Sequence, residues 1–297
     1  MKRLVSYAIA ANVFGAAAPA FAQEECVPSF LENSLTVIVP PITASSGSTT
    51  TENFDVKVRN AGTGNANCPA TLRIARIATT PSALAIPYSF AAQGRQLEVL
   101  PAENFTGGGQ NELSLSQLPR NRNGSSIPMK VVIPSGWGVT AGIQVENLVL
   151  LLLDRNGTIV DRLPFSLSMQ VAPAVEVRVV GATGTDAIAR VDLGVLDPKS
   201  VTTSAPFGIR VWSTSAYTVS FQSENNGRLM LESRASSIDY QLYMDGNRVS
   251  TNGAVAGYEP DATDALGDFH SMIIRVEPFR ARAGEYSDRV EVTVTAG

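Results

Sequence analysis

The side chains with the most chemical potential in this 297-residue sequence are one histidine, His270, two cysteines, Cys26 and Cys68, and the glycines of VEVRVVGATGTDAIARV (175–191). His270 opens a predicted strand. A Ser–His–Asp relay would need it exposed beside a nucleophile, and no Gly-x-Ser-x-Gly elbow accompanies it. One imidazole with two distant thiols makes a poor zinc site. The glycine stretch imitates a dinucleotide-binding start, a Val-rich strand followed by Gly181 and Gly184 with Ala187 in third place. That fingerprint has to open a helix, whereas DAIARV runs into DLGVLDP with no helical period. A pair of carboxylates for glycoside hydrolysis would be assembled in space and leaves no mark in sequence. The reading is a non-enzymatic chain with no cofactor and no metal.

The elements that would position any site are strands. The chain is 44% hydrophobic and 17% charged, enough to bury more than one core, and Val, Thr and Ser recur in short runs separated by Gly and Pro. A net charge of −4, with acids and bases interspersed, provides no basic stripe for nucleic acid or anionic lipid. Met1, Lys2 and Arg3, the apolar stretch from Leu4 to Ala18 and the box Ala20-Phe21-Ala22 read as a secretory signal peptide over 1–22, with the mature start at Gln23. The densest later apolar run, Leu148 to Leu153, is far short of a membrane span. In an oxidising compartment a Cys26–Cys68 bridge is expected, the alternative being two free buried thiols. Sequons at Asn104, Asn123 and Asn156 would matter only in a eukaryotic secretory pathway.

Three stretches recur in the same order. IPMKVVIPSGWGVTAGIQVENLVLLLL (127–153) aligns with HSMIIRVEPFRARAGEYSDRVEVTVT (270–295), so that Ala141-Gly142 matches Ala283-Gly284 and Glu146 matches Asp288. NFDVKVRN (53–60) aligns with PFGIRVWS (206–213), and IPYSFAAQG (86–94) with IDYQLYMDG (238–246). The expected fold is all-β: two immunoglobulin-like β-sandwich domains in tandem, over 23–171 and 172–297, linked at Ala172-Pro173-Ala174. In the first copy RLPFSLSMQV, with Leu163, Phe165, Leu167 and Met169 alternating, reads as a closing strand. In the second, the equivalent strand runs to Val294 and the sequence stops. The C-terminal sandwich is therefore expected to lack its last strand, leaving an apolar groove and unpaired edges.

On AYTVSFQSENNGRLM (216–230), SSIDYQLYMDG (236–246) and AGEYSDRVEVTVTAG (283–297), the second copy resembles the spore coat protein U domain, the pilin module of archaic chaperone–usher pili. Gly-x-Tyr-x-Asp before a terminal alternating strand is the most telling element. The first copy is similar only in outline, and the second departs from the family pattern in having no cysteine. The resemblance implies a periplasmic immunoglobulin-like chaperone that lends a strand, an outer-membrane usher, and a next pilus subunit whose N-terminal extension replaces the lent strand. Tyr286, Val290, Val292 and Val294 would then border the donor-strand groove. Only Gln23, Glu24 and Glu25 precede Cys26 after the cleavage site, about 10 Å of extended chain and too little for a donor strand. That makes the expected role a tip adhesin at the cell surface, with the first domain contacting a surface or receptor. The alternatives are a structural pilus or coat subunit, and a soluble extracellular binding protein.

For the contact itself, the longest loop, 101–126, carries Phe105, Leu113, Leu115 and Leu118. The resemblance implies apolar fingers there, while ELSLSQL reads equally as a short extra strand packed on the sandwich. Trp137, between glycines in PSGWGV, is expected to pack between the domains, with ligand binding the alternative. Arg120 and Arg122 are candidates for acidic glycans or ordinary solvated charges.

Overall fold

The computed structural model describes residues 26–44, 49–63, 67–77, 86–101, 112–134, 136–185 and 188–297. Among these residues every regular element is a β-strand. The strands form where apolar side chains alternate: in Ile159–Val171, Leu163, Phe165, Leu167, Met169 and Val171 are buried while Pro164 and Gln170 face out.

One five-stranded sheet runs in the order Pro28–Phe30, Thr49–Asn60, Ser125–Pro134, Ser89–Ala92, Arg95–Leu97. Facing it, a second sheet runs Leu35–Ile38, Ile159–Val171, Gly142–Leu153, Ala70–Arg76, Val99–Leu100, with Leu113–Leu115 also paired to Ala70–Arg76. Their inner faces share one core, in which Phe54, Phe90 and Phe165 meet with ring centroids 5.5–6.2 Å apart. The Cys26–Cys68 disulfide joins the segment before Pro28–Phe30 to this core across a separation of 42 residues.

Beyond residue 174 the plan repeats. Val175–Val180, Phe207–Ser213, Asp268–Val276, Gln241–Met244 and Asn247–Val249 form a sheet in the same relative order as the first, its three inner strands being the ones the sequence alignment matched. A three-stranded sheet, Asn252–Glu259, Tyr217–Ser223, Val290–Ala296, faces it across a second core of Ile209, Val211, Tyr217, Phe221, Leu242 and Met272. The glycine-spaced stretch after Val180 is a small hairpin, Thr183–Gly184 paired with Ala189–Arg190. Gly184 has φ +124°, and a Cβ there would strike the Ile188 carbonyl, so this glycine answers to a turn rather than to a phosphate.

Candidate functional site: an open edge in the second sandwich

The two copies treat one matched strand of their second sheets differently. In the first copy, Gly142–Leu153 is hydrogen-bonded on one side to Ala70–Arg76 and on the other to Ile159–Val171, the strand read from sequence as the closing one. Leu148, Leu150 and Leu152 are each 0% exposed there. The match of Glu146 to Asp288 is an offset of 142 (288 − 146), which carries these leucines onto Val290, Val292 and Val294. In the second copy, Val290–Ala296 pairs only with Tyr217–Ser223, from Val290 opposite Ser223 to Ala296 opposite Tyr217. Among the described residues no strand occupies its other side. Val290, Val292 and Val294 pack against the second core but stay half-buried.

Opposite that edge lies Val175–Val180, paired only with Phe207–Ser213. Val175, Val177 and Val179 also pack against the second core and are also half-buried. Glu176 and Arg178 turn outward as an ion pair at 2.6 Å, with the Arg178 guanidinium 5.4 Å from the centre of the Trp212 ring. Two rows of valines on two edge strands thus flank one apolar strip whose backbone edges lack strand partners among the described residues. In the first copy the corresponding strip is filled: Ile159–Val171 lies between Gly142–Leu153 and the parallel strand Leu35–Ile38. Such a strip can add an extended segment, through main-chain hydrogen bonds and alternating apolar contacts.

The start of the terminal strand is pinned by Asp288. Its carboxylate accepts from the Ser223 hydroxyl at 2.5 Å, the Tyr240 hydroxyl at 2.7 Å and the Asn225 side-chain amide at 2.9 Å. Burial, then the Asp288 carboxylate, pushes the Tyr240 phenol well above its ordinary range. The first copy repeats the device in altered form. Glu146, its side chain 2% exposed, accepts from Arg76 Nε at 2.9 Å, and Arg76 Nη2 donates to the Tyr88 hydroxyl at 3.3 Å. The aligned pairs Glu146/Asp288 and Tyr88/Tyr240 were both visible in sequence as matches, yet only proximity in space shows that each acid serves its own tyrosine.

His270 is buried. Its Nδ1 lies 2.8 Å from Asp245 Oδ2 and its Nε2 lies 2.9 Å from the Tyr217 hydroxyl, which donates to Asp268 Oδ2 at 2.9 Å. Burial, then Asp268, raises the Tyr217 phenol. This chain of polar groups ties Asp268–Val276 to Tyr217–Ser223 across the sandwich, so His270 is a packing residue. Among the described residues no group of His, Cys, Asp and Glu is arranged to hold a metal.

Two sequence expectations need correction. Leu113, Leu115 and Leu118 are 2%, 7% and 4% exposed and belong to the first core, because Leu113–Leu115 docks antiparallel on Ala70–Arg76 and sends alternate side chains inward. The extra-strand reading of ELSLSQL is the one that holds, and these leucines are not free for contact. Phe105 lies outside the described residues. Tyr286 is not in the terminal strand either: Tyr286–Ser287 pairs with Arg228–Leu231, and Asp288 and Arg289 separate it from Val290–Ala296. Trp137 packs against the first core and lines a cleft with Pro134, Val139, Asp264 and Ala265; further along the chain the Ala141 amide donates to the Thr214 carbonyl at 2.6 Å.

No family model matches the chain, and no curated protein does. Among solved structures it is similar to CfaE, the adhesive subunit of CFA/I fimbria of enterotoxigenic Escherichia coli, at 13% identity and TM-score 0.45, over 92% of this chain and 94% of that one. A chaperone–tip adhesin complex of CFA/I fimbriae is similar at 14% identity and TM-score 0.43, over 92% and 98%. The CsuC–CsuE chaperone–tip adhesion subunit complex from archaic Csu pili of Acinetobacter baumannii is similar at 14% identity and TM-score 0.39, over 89% and 99%.

Proposed function

We propose that this chain is a non-enzymatic secreted adhesive subunit, the tip adhesin, of an archaic chaperone–usher pilus. The second sandwich accepts a strand, first from a periplasmic immunoglobulin-like chaperone and then from the next subunit delivered at the usher. The first sandwich contacts a surface or receptor. The observation that carries this reading is the unequal treatment of one strand in the two copies: among the described residues Gly142–Leu153 has strand neighbours on both sides, whereas Val290–Ala296 has one. The sequence resemblance of 216–230, 236–246 and 283–297 to the pilin module supports it. The closing strand of the first copy supplies the expected pattern of the donor: alternating large apolar residues like Leu163, Phe165, Leu167 and Met169, running antiparallel to Val290–Ala296.

The test is to express the full chain in the periplasm of its native host with a C-terminal tag and identify what copurifies. A stoichiometric immunoglobulin-like chaperone, with proteolysis or aggregation of the chain when that partner is deleted, is expected. A soluble, partner-free monomer that melts cooperatively in both halves would overturn the proposal and leave a soluble binding protein.

A further inference from the structure

The first sandwich, filled on one side by Ile159–Val171, has an opening on the other. Ser89–Ala92 and Arg95–Leu97 at the border of one sheet, with Ala70–Arg76 and Val99–Leu100 at the border of the other, surround a pocket of about 480 Å³. That is within the range of small-molecule sites, ~300–1,000 Å³. Its lining is mostly polar: Arg76, Tyr88, Ser89, Gln96 and Glu98, with Leu97 and Val99 as apolar contributions.

The groups are organised from behind. Glu146 is almost wholly buried and holds Arg76 by Nε, which turns the rest of the guanidinium toward Tyr88. Glu146 Oε2 is buried with no donor in hydrogen-bonding geometry, an acceptor that the packed protein leaves unsatisfied. Burial and then Glu146 raise the Tyr88 phenol, so Tyr88 keeps its proton. Its ring is only half-buried and meets Phe90 edge-on at 5.7 Å.

The charges decide the class of ligand. The positive charge of Arg76, the single cationic side chain among the lining residues, is matched by Glu146 behind it, so the pocket has no surplus positive charge with which to attract an anion. Guanidinium and amide N–H donors, the Tyr88 and Ser89 hydroxyls, the Gln96 carbonyl and a half-buried aromatic ring together match a neutral, polyhydroxylated ring. We propose that this pocket is a binding site for a neutral hexopyranose unit. It deepens the reading of the first sandwich as the receptor-binding half and does not depend on what fills the edge of the second.

The test uses the full chain purified with whatever partner accompanies it, titrated calorimetrically with D-glucose, D-galactose, D-mannose and N-acetylglucosamine, and with N-acetylneuraminic acid as an acidic counterpart. At least one neutral sugar is expected to bind at one site per chain and more tightly than the acid. Gln96→Ala, at an exposed position, is expected to weaken that binding roughly three- to tenfold, the size of one lost hydrogen bond, with an unchanged melting temperature. Gln96→Trp, which fills the pocket, should abolish it. No binding by any neutral sugar, tighter binding of the acid, or binding indifferent to both Gln96 variants would overturn the proposal. Partner copurification is scored on the same preparations, so failure of the strand-acceptor reading is seen separately.

Discussion

Replacing Val292 by Asp puts the strand-acceptor proposal under the most direct load. Val292 stands in the middle of Val290–Ala296 and turns toward the second core, while its neighbour Thr293 points to solvent. Its counterpart by the internal repeat, Leu150, is 0% exposed beneath a closing strand, so a donor laid on this edge should bring Val292 to similar burial. In the partner-free chain the half-buried position lets an aspartate keep part of its hydration, and the variant should fold. With a strand in place the carboxylate would be sealed in apolar surroundings without a counter-ion, at an effective penalty of about 3–5 kcal/mol. At 1.4 kcal/mol per decade that is a roughly hundred- to several-thousand-fold loss of partner affinity. Thr293→Asp carries the same charge on the same strand and, by the two-residue period, keeps it in water. The assay is the ratio of copurifying partner to tagged chain in periplasmic extracts of the wild type and the two variants. Equal losses in both variants, or retention of partner by Val292→Asp, would refute the reasoning.

Further outcomes are expected elsewhere in the molecule. Cys68→Ser opens the disulfide loop of 42 residues and should lower the stability of the first sandwich by about 4 kcal/mol on the chain-entropy model, read by denaturant unfolding with and without reductant. Leu113→Ala should cost about 2–5 kcal/mol, because Leu113 is 2% exposed in the first core; an unchanged melting temperature would return it to the candidate contact residues. Asp245 is opposed by burial, which raises it, yet the bonds from His270 and Ser271 hold its carboxyl below the usual carboxylate range. A depressed folded value means the contribution is present above the unfolded value of about 3.9 and is lost as pH falls through the folded one. The second sandwich should therefore loosen below about pH 4, and Asp245→Asn should flatten that acid limb in a melting series.

Local pattern carried a great deal of this molecule. Alternation in NFDVKVRN, RLPFSLSMQV and VEVTVTA is a property of the chain itself, since a strand on a buried core must turn every second side chain inward, and it located these strands without help. The internal repeat followed from the same arithmetic. Which strands neighbour one another is not local. Whether RLPFSLSMQV closes its own sandwich depends on pairing with Gly142–Leu153, and the burial of Leu113, Leu115 and Leu118 depends on Ala70–Arg76 offering a free edge. Val175, Val177 and Val179 alternate plainly in VEVRVV, yet only the fold sets them across from Val290, Val292 and Val294. The polar ties behave likewise: Asp288 lies 48 residues from Tyr240 and 65 from Ser223, and nothing in the composition of either stretch announces the other. Sequence determined the strands, because periodicity is written within ten residues. Tertiary structure decided the edges, because an unpaired edge is defined by what the rest of the chain places beside it.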